Sequence, residues 1–501
     1  MKYLQYSIAF GALIAGSVGC TEAPAPSATL ALKECRVARV ENALKCATLE
    51  VFENRETKAL RKISLNIVVA EAVARNKARD PIFIFAGGPG QAAGDLVAAL
   101  SPMLSGLMSK RDVVFIDQRG TGKSHPLNCT FPRDDTPEMA DPATRRTRTL
   151  ALVSQCRDTL AKNADLTQYT TTIAMADIDD VRAALGYETI NLWGASYGTR
   201  AALEYLRRYP ERVRTMTIDG VAPPSLILPE NFARDAGAAI EAMFTACEKS
   251  AACNGATPTL RADFAELGAA LDKSPRRLSL KDPLTGVARE STLTRDGLHM
   301  AVFTTLYVPQ FAALVPEAIK SAKAGDFAPL NALASLFSDG TDKVAMGMRF
   351  SVSCAEDVPR IDDTMRAAAA NVAPFGESFI REFTAGCEPW PRAKVPADFF
   401  TPVKSDKPVL ILSGGLDPVT PSSWGEEAKK GFANSVHAVA PQIGHGVSHQ
   451  GCAPKLIKQF IETASVAGLD ASCLARIPRP TFYQAMKEKP MNEVTNKETA
   501  K

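Results

Sequence analysis

Past residue 20, no apolar run is long enough to span a bilayer. The eleven cysteines include no C-x-x-C pair, which removes the usual spacing of a structural zinc site. The five histidines form no H-E-x-x-H, so a catalytic metal has no helical ligand pair either. A formal net charge of +3 over 501 residues leaves no electrostatic footprint for nucleic acid or an acidic partner. One stretch, Asp117 to Ser124, ends like a phosphate-binding loop in Gly122-Lys123-Ser124. Its leading position is Asp117, where that loop needs glycine, so nucleotide binding is not expected. Internal repeats are absent. No cofactor and no metal are expected.

The composition is that of an ordinary globular protein, with 46% apolar and 23% charged residues. The length exceeds what one core needs. The first twenty residues differ from the rest. Lys2 precedes a short apolar run and small residues, a pattern that predicts a secretory signal. The ending Ser17-Val18-Gly19-Cys20 is similar to a bacterial lipobox, with serine where leucine is preferred. Lipid attachment at Cys20 is the expectation, with plain cleavage nearby as the alternative. Residues 21–34 then read as a flexible tether, rich in Ala and Pro at its start. Setting Cys20 aside leaves ten cysteines, an even number suited to disulfides outside the cytoplasm. Proximity along the chain suggests Cys35–Cys46, Cys129–Cys156, Cys247–Cys253, Cys354–Cys387 and Cys452–Cys473, although sequence does not dictate connectivity.

Residues 46–52 and 63–69 alternate or run apolar like paired strands. Residues 81–85 and 112–116 are short continuous apolar runs, suited to buried parallel strands. Ile178, Val181 and Leu185 predict a helix before Gly186, with Asp177, Asp179 and Asp180 near its start. Further strands are expected at 189–193, 213–219, 408–413 and 436–440. Strands alternating with helices predict a doubly wound, mostly parallel α/β sheet. The stretch 222–400 lacks that alternation and carries helical patterns at 232–246 and 260–271. It predicts a mainly helical cap inserted between core parts 35–221 and 401–480, and residues 481–501 read as a polar tail.

Gly194-Ala195-Ser196-Tyr197-Gly198 directly follows the strand at 189–193. Ala202, Tyr205, Leu206 and Tyr209 then recur with helical spacing until Pro210. Strand, G-x-S-x-G and helix together form a nucleophile elbow, with Ser196 at its tip. A serine hydroxyl needs a base to become a nucleophile. In the elbow's fold class, the α/β-hydrolases, the orienting acid and the base follow in the order Asp/Glu, then His. Asp417 lies just past the strand at 408–413, and His445 just past the strand at 436–440. Their roles are expected to be orienting carboxylate and general base. His449 is the rival base, whereas His125, His299 and His437 default to structural positions. Gly87 and Gly88 follow the strand at 81–85 and are expected to bring one backbone N–H to an oxyanion. The N–H of Tyr197 would supply the second.

These segments together resemble the proline iminopeptidase and tripeptidyl aminopeptidase (TAP-like) branch of the α/β-hydrolases. The resemblance rests on Gly87-Gly88-Pro89-Gly90, on Asp117-Gln118-Arg119-Gly120-Thr121-Gly122-Lys123-Ser124, on the elbow, and on Asp417 and His445. It extends to the run from Tyr169-Thr170-Thr171-Thr172 through Asp177 to the elbow, to Ser353 through Asp357 and to Cys387 through Pro391. Ala86 departs from the histidine usual in iminopeptidases and shifts the likeness toward the tripeptidyl group. The resemblance implies an exported serine exopeptidase acting on peptides with free N-termini. A carboxylesterase on the same scaffold is the alternative. It also implies cap carboxylates that hold the substrate amine, for which Glu356 and Asp357 are the candidates. Residue preference and oligomeric state do not follow from the sequence.

Overall fold

The computed structural model describes residues 30–485 apart from 60, 132–135, 282–285, 336–343 and 377. The signal segment, Cys20, most of the tether and the end of the tail lie outside the described residues. The strands are β1 (Lys33–Cys35), β2 (Leu44–Phe52), β3 (Lys62–Ala70), β4 (Ile82–Phe85), β5 (Val113–Ile116), β6 (Ile190–Ala195), β7 (Val213–Asp219), β8 (Arg276–Lys281), β9 (Ala288–Leu293), β10 (Val409–Gly414) and β11 (Ser435–Ala440). Nine of them form one sheet in the order β1-β2-β3-β5-β4-β6-β7-β10-β11. From β5 to β11 neighbouring strands are parallel, and the β1-β2-β3 edge is antiparallel.

The short apolar runs explain this arrangement. β4 and β5 are buried at every position, as a strand covered on both faces requires. Alternate residues feed two cores. Phe83, Phe85, Val114 and Ile116 join one face, and Ile82, Ile84, Val113 and Phe115 join the other. Among the helices around the sheet are α1 (Leu96–Leu107), α2 (Pro142–Leu160), α3 (Thr171–Ala184) and α4 (Tyr197–Arg208).

Helix α3 starts earlier than its apolar spacing suggests. Thr170 caps it by accepting from the N–H of Ile173, so Asp177, Asp179 and Asp180 lie in its middle. They form ion pairs there instead of facing the helix dipole. Asp177 grips the buried Arg119, Asp179 binds Arg182, and Asp180 binds Arg55. The segment that mimics a phosphate loop is also accounted for. Asp117 accepts from the N–H groups of Gly94 and Lys123, and the Arg119 guanidinium also donates to the Glu53 and Gln168 carbonyls. These contacts close a turn.

Between β7 and β10 the chain is mainly helical, with one addition absent from the sequence reading, the β8-β9 hairpin. The hairpin strands are polar and charged, so they lack the apolar runs that mark the sheet strands. The insertion packs as two groups. One is centred on Ile240, Phe244, Phe264, Val302 and Phe375. The other, around Val352, Cys354 and Trp390, packs against Tyr169 and Tyr197 of the core. All five disulfides suggested by proximity are formed. No described helix is long and apolar enough to cross a membrane.

Candidate active site

The turn from β6 into α4 is so tight that two glycines are sterically required. A Cβ on Gly194 would lie 2.4 Å from the Gly198 carbonyl oxygen, and one on Gly198 would lie 2.1 Å from that of Phe85. Ser196 takes φ 57° and ψ −130°, a conformation that L residues seldom adopt. Its N–H donates to the Asp219 carbonyl at 3.0 Å, which ties the turn to the end of β7. The result is a partly exposed serine raised above the carboxyl ends of the parallel strands. Open α/β sheets place ligands at that edge.

Asp417 and His445 meet at the same edge. Asp417 is 2% exposed, and its Oδ2 lies 2.8 Å from His445 Nδ1. Its Oδ1 accepts from the N–H groups of Val419 and Thr420, each at 2.9 Å. The Thr420 hydroxyl donates to Oδ2 at 2.8 Å and lies 3.2 Å from His445 Nδ1. Burial pushes the Asp417 pKa up, but His445 and the two backbone donors outweigh it and hold the carboxyl below the usual range. For His445, burial pulls the pKa down, yet Asp417 and the more distant Asp219 leave it above the ordinary histidine value. With Nδ1 committed to Asp417, Nε2 is the nitrogen left for a second partner. The imidazole is further fixed by the Tyr307 ring, edge-on at a centroid distance of 5.1 Å, and the backbone N–H of His445 donates to the Tyr307 carbonyl.

A cavity of about 120 Å³ opens beside Ser196 and is bounded by Gly88, Pro89, Tyr197, Tyr307 and Thr420 among others. Ser196, Thr420 and the oxyanion candidates Gly88 and Tyr197 therefore share one space. Gly87 lies against Ser196, for a Cβ there would sit 3.2 Å from the Ser196 Cβ. Gly88 takes φ +111°, open to glycine and strained for other residues.

The other histidines sit elsewhere. His449 is exposed and contacts Gln450. His299 is packed against Phe264 and Phe375, and burial, helped by Arg295, lowers its pKa to about 4. His437 bridges Ser413 and Glu426 in a second Ser-His-acid row. Ser413 is fully buried within β10, so a substrate carbonyl has no approach to it.

Glu356 and Asp357 are wholly buried and lie behind the cavity wall. Glu356 accepts from the Thr171 N–H at 2.7 Å and from the Thr171 hydroxyl at 2.9 Å. That hydroxyl also meets the Tyr197 hydroxyl at 2.6 Å. Asp357 is bound to Arg200 at 3.0 Å and to the Leu228 N–H at 3.1 Å. Burial pushes the Glu356 pKa up to about 8, with Arg200 and the Thr171 contacts opposing it.

Asp219 is the functional residue that sequence reasoning missed. It ends β7 fully buried, and its carboxylate accepts from the N–H of Val447 at 2.8 Å and of Ser448 at 2.6 Å. It thereby anchors the loop carrying His445, while its carbonyl holds the Ser196 turn. An acid at the end of a buried strand, followed by Gly220, was the available signal. Asp219→Ala strands two buried N–H groups, each costing roughly 1–3 kcal/mol. The variant should unfold at lower urea and lose activity beyond what its folded fraction explains. Thr420→Val removes one hydrogen bond to a charged group, and a fall of about tenfold in kcat with KM little changed is expected. Steady-state kinetics on a chromogenic ester would read it.

A strand-turn-helix serine, an acid and a histidine after two later strands, and a doubly wound sheet define an α/β-hydrolase. Residues 80–246 match the family described as "alpha/beta hydrolase fold", and residues 370–473 match the one described as "TAP-like protein". These matches and the sheet show the α/β-hydrolase fold, with a segment similar to the TAP-like family at 370–473. The chain is 26% identical to the serine protease Hip1 of Mycobacterium tuberculosis over 423 residues, covering 77% of this chain and 79% of that protein. It is 25% identical to the tripeptidyl aminopeptidase of Streptomyces lividans over 422 residues, covering 79% and 77%.

Proposed function

We propose that the protein is an exported serine exopeptidase that releases short pieces from peptides with free N-termini. In this reading Ser196 attacks the scissile carbonyl while His445 Nε2 takes its proton. Asp417 holds the imidazole in one tautomer and stabilises the imidazolium. The N–H groups of Tyr197 and of Gly87 or Gly88 face the oxyanion. His445 then returns the proton to the leaving amine, and water releases the acyl group by the same steps in reverse. The observation that carries the reading is the 2.8 Å Asp417–His445 contact, joined by Thr420, which borders the cavity beside Ser196. The likeness to a named serine protease and a named tripeptidyl aminopeptidase supports peptides as substrates.

Residues 222–400 serve as the cap that limits access, and the core parts 35–221 and 401–480 carry the reacting groups. Glu356 is the better amine acceptor of the two cap acids, since Arg200 stands 3.0 Å from Asp357 and 4.0 Å from Glu356. An ammonium arriving past Tyr197 would exchange for the Thr171 contacts. Export, with Cys20 as lipidated N-terminus, is supported by the signal pattern and by five disulfides, which persist in oxidising compartments.

The test compares tripeptide p-nitroanilides with free and acetylated N-termini. Hydrolysis of the free form, with the acetylated form slower by about tenfold or more, is expected from loss of one charge-assisted contact. Equal rates would sink the aminopeptidase reading. Turnover of esters alone would instead assign a carboxylesterase.

A further inference from the structure

Tyr197 opens α4, and in the proposed reaction its N–H faces the oxyanion. The first N–H groups of a helix have no carbonyl partner within it, so the helical ladder does not fix where they point. A donor to an oxyanion acts at about 2.7–3.1 Å, and a misplacement of about 1 Å can cost on the order of a hundredfold in rate. Contacts from outside the helical ladder therefore help to set the direction of this N–H.

Such contacts lie at both ends of the residue. At the backbone end, the Ser196 N–H is tied to Asp219, and the Ser196 carbonyl accepts from the Thr199 hydroxyl at 2.6 Å. At the far end, the Tyr197 hydroxyl lies 2.6 Å from that of Thr171, the first residue of α3. The Thr171 hydroxyl donates to Glu356 Oε2 at 2.9 Å, and the Thr171 N–H donates to Oε1 at 2.7 Å. With the Thr171 proton given to Glu356, the Tyr197 hydroxyl is the donor to Thr171. The bonds thus run one way, an arrangement in which each polarises the next. Thr171 and Glu356 are wholly buried and Tyr197 is 2% exposed, so bulk water does not compete for these bonds. A tyrosine side chain turns about only two bonds, and anchoring its hydroxyl leaves its backbone little freedom.

We propose that Thr171 is a positioning residue for the oxyanion hole: by holding the Tyr197 hydroxyl, it aims the Tyr197 N–H at the oxyanion that forms when Ser196 attacks. The role rests on the Ser196 acyl chemistry proposed above. The Thr171–Tyr197 bond is separate from the Glu356 contacts that an amine would replace. A part in stability alone would shift the unfolding midpoint and leave the kinetics of the folded protein as they are.

p-Nitrophenyl acetate is the test substrate, an ester with no amine to engage the cap. Thr171→Val keeps the side-chain shape and removes the hydroxyl. It should lower kcat about tenfold with KM within about twofold, a part of the roughly 10²–10³ that outright loss of an oxyanion donor costs. Thr171→Ser should recover most of that loss. Tyr197→Phe should lose a similar factor, and the double variant little more than either alone, because both changes remove one bond. A peptidyl trifluoromethyl ketone gives a second readout. Ser196 Oγ bonds to its carbonyl carbon, the hydroxyl proton passes to His445 Nε2, and the carbonyl π pair becomes the oxyanion. Its affinity should fall about tenfold in Thr171→Val and in Tyr197→Phe, and return in Thr171→Ser. Thermal midpoints give the folded fraction of each variant. Tyr197→Phe leaves the Thr171–Glu356 bonds in place and carries the test where the valine impairs folding. Unchanged kcat and inhibitor affinity in Tyr197→Phe, a loss that Thr171→Ser does not recover, or losses that multiply in the double variant overturn the role. Undiminished ester turnover by Ser196→Ala overturns it together with the nucleophile. The expected ester losses with free-amine anilides inert leave the role standing and remove the peptidase reading.

Discussion

Ser196→Ala should lower kcat/KM by about 10⁴-fold or more, with the thermal midpoint close to that of the parent protein. The size follows from the chemistry, because alanine offers no atom that can form an acyl-enzyme. The small structural effect follows from the elbow. Its geometry is imposed by the close approach of Gly194 and Gly198 and by the bond from the residue 196 N–H to Asp219, and alanine keeps all of these. A side chain shorter by one oxygen also adds no clash with Gly87. A fluorophosphonate probe gives an independent reading, for it should label the parent protein once and the variant not at all. Undiminished labelling of the variant would move the nucleophile elsewhere.

Asp417→Asn should cost about 10⁴-fold in kcat, because an amide at that position favours the wrong imidazole tautomer. The pH dependence supplies the sharper test. In the parent protein, activity rises with pH as His445 loses its proton, and this limb lies above the ordinary histidine pKa, burial being outweighed by Asp417 and Asp219. Without the carboxylate, the limb of the residual activity should move to lower pH. Stability should respond in two windows. The lowered pKa of Asp417 contributes stability above its unfolded value, which is lost as pH falls through the folded one. The raised pKa of His445 contributes stability below its unfolded value, which is lost as pH rises through the folded one. The asparagine variant should lack the acid-side loss and show a smaller change on the alkaline side. Urea midpoints across the pH range would test both. A limb that stays in place would mean that Asp417 does not set the His445 pKa.

Local pattern carried much of this protein. The segments 82–85 and 113–116 read as doubly buried strands, because each position is apolar and the segments are too short for buried helices. The elbow could be read because strand, glycines and helix are contiguous. Asp417 and His445 could be read because each comes just after such a strand. The polar β8-β9 hairpin escaped because it has no apolar period, and Asp219 escaped because its partners lie more than two hundred residues away.

The sequence alone determined the doubly wound sheet, the nucleophile turn and the order of serine, acid and histidine, since these depend on neighbours along the chain. Tertiary structure decided what the remaining charges do. It closed Asp177 onto Arg119, buried Glu356 and Asp357 behind Tyr197, and set Thr171 between Glu356 and the Tyr197 hydroxyl. Desolvation and pairing depend on which distant segments meet, and spacing along the chain does not record that.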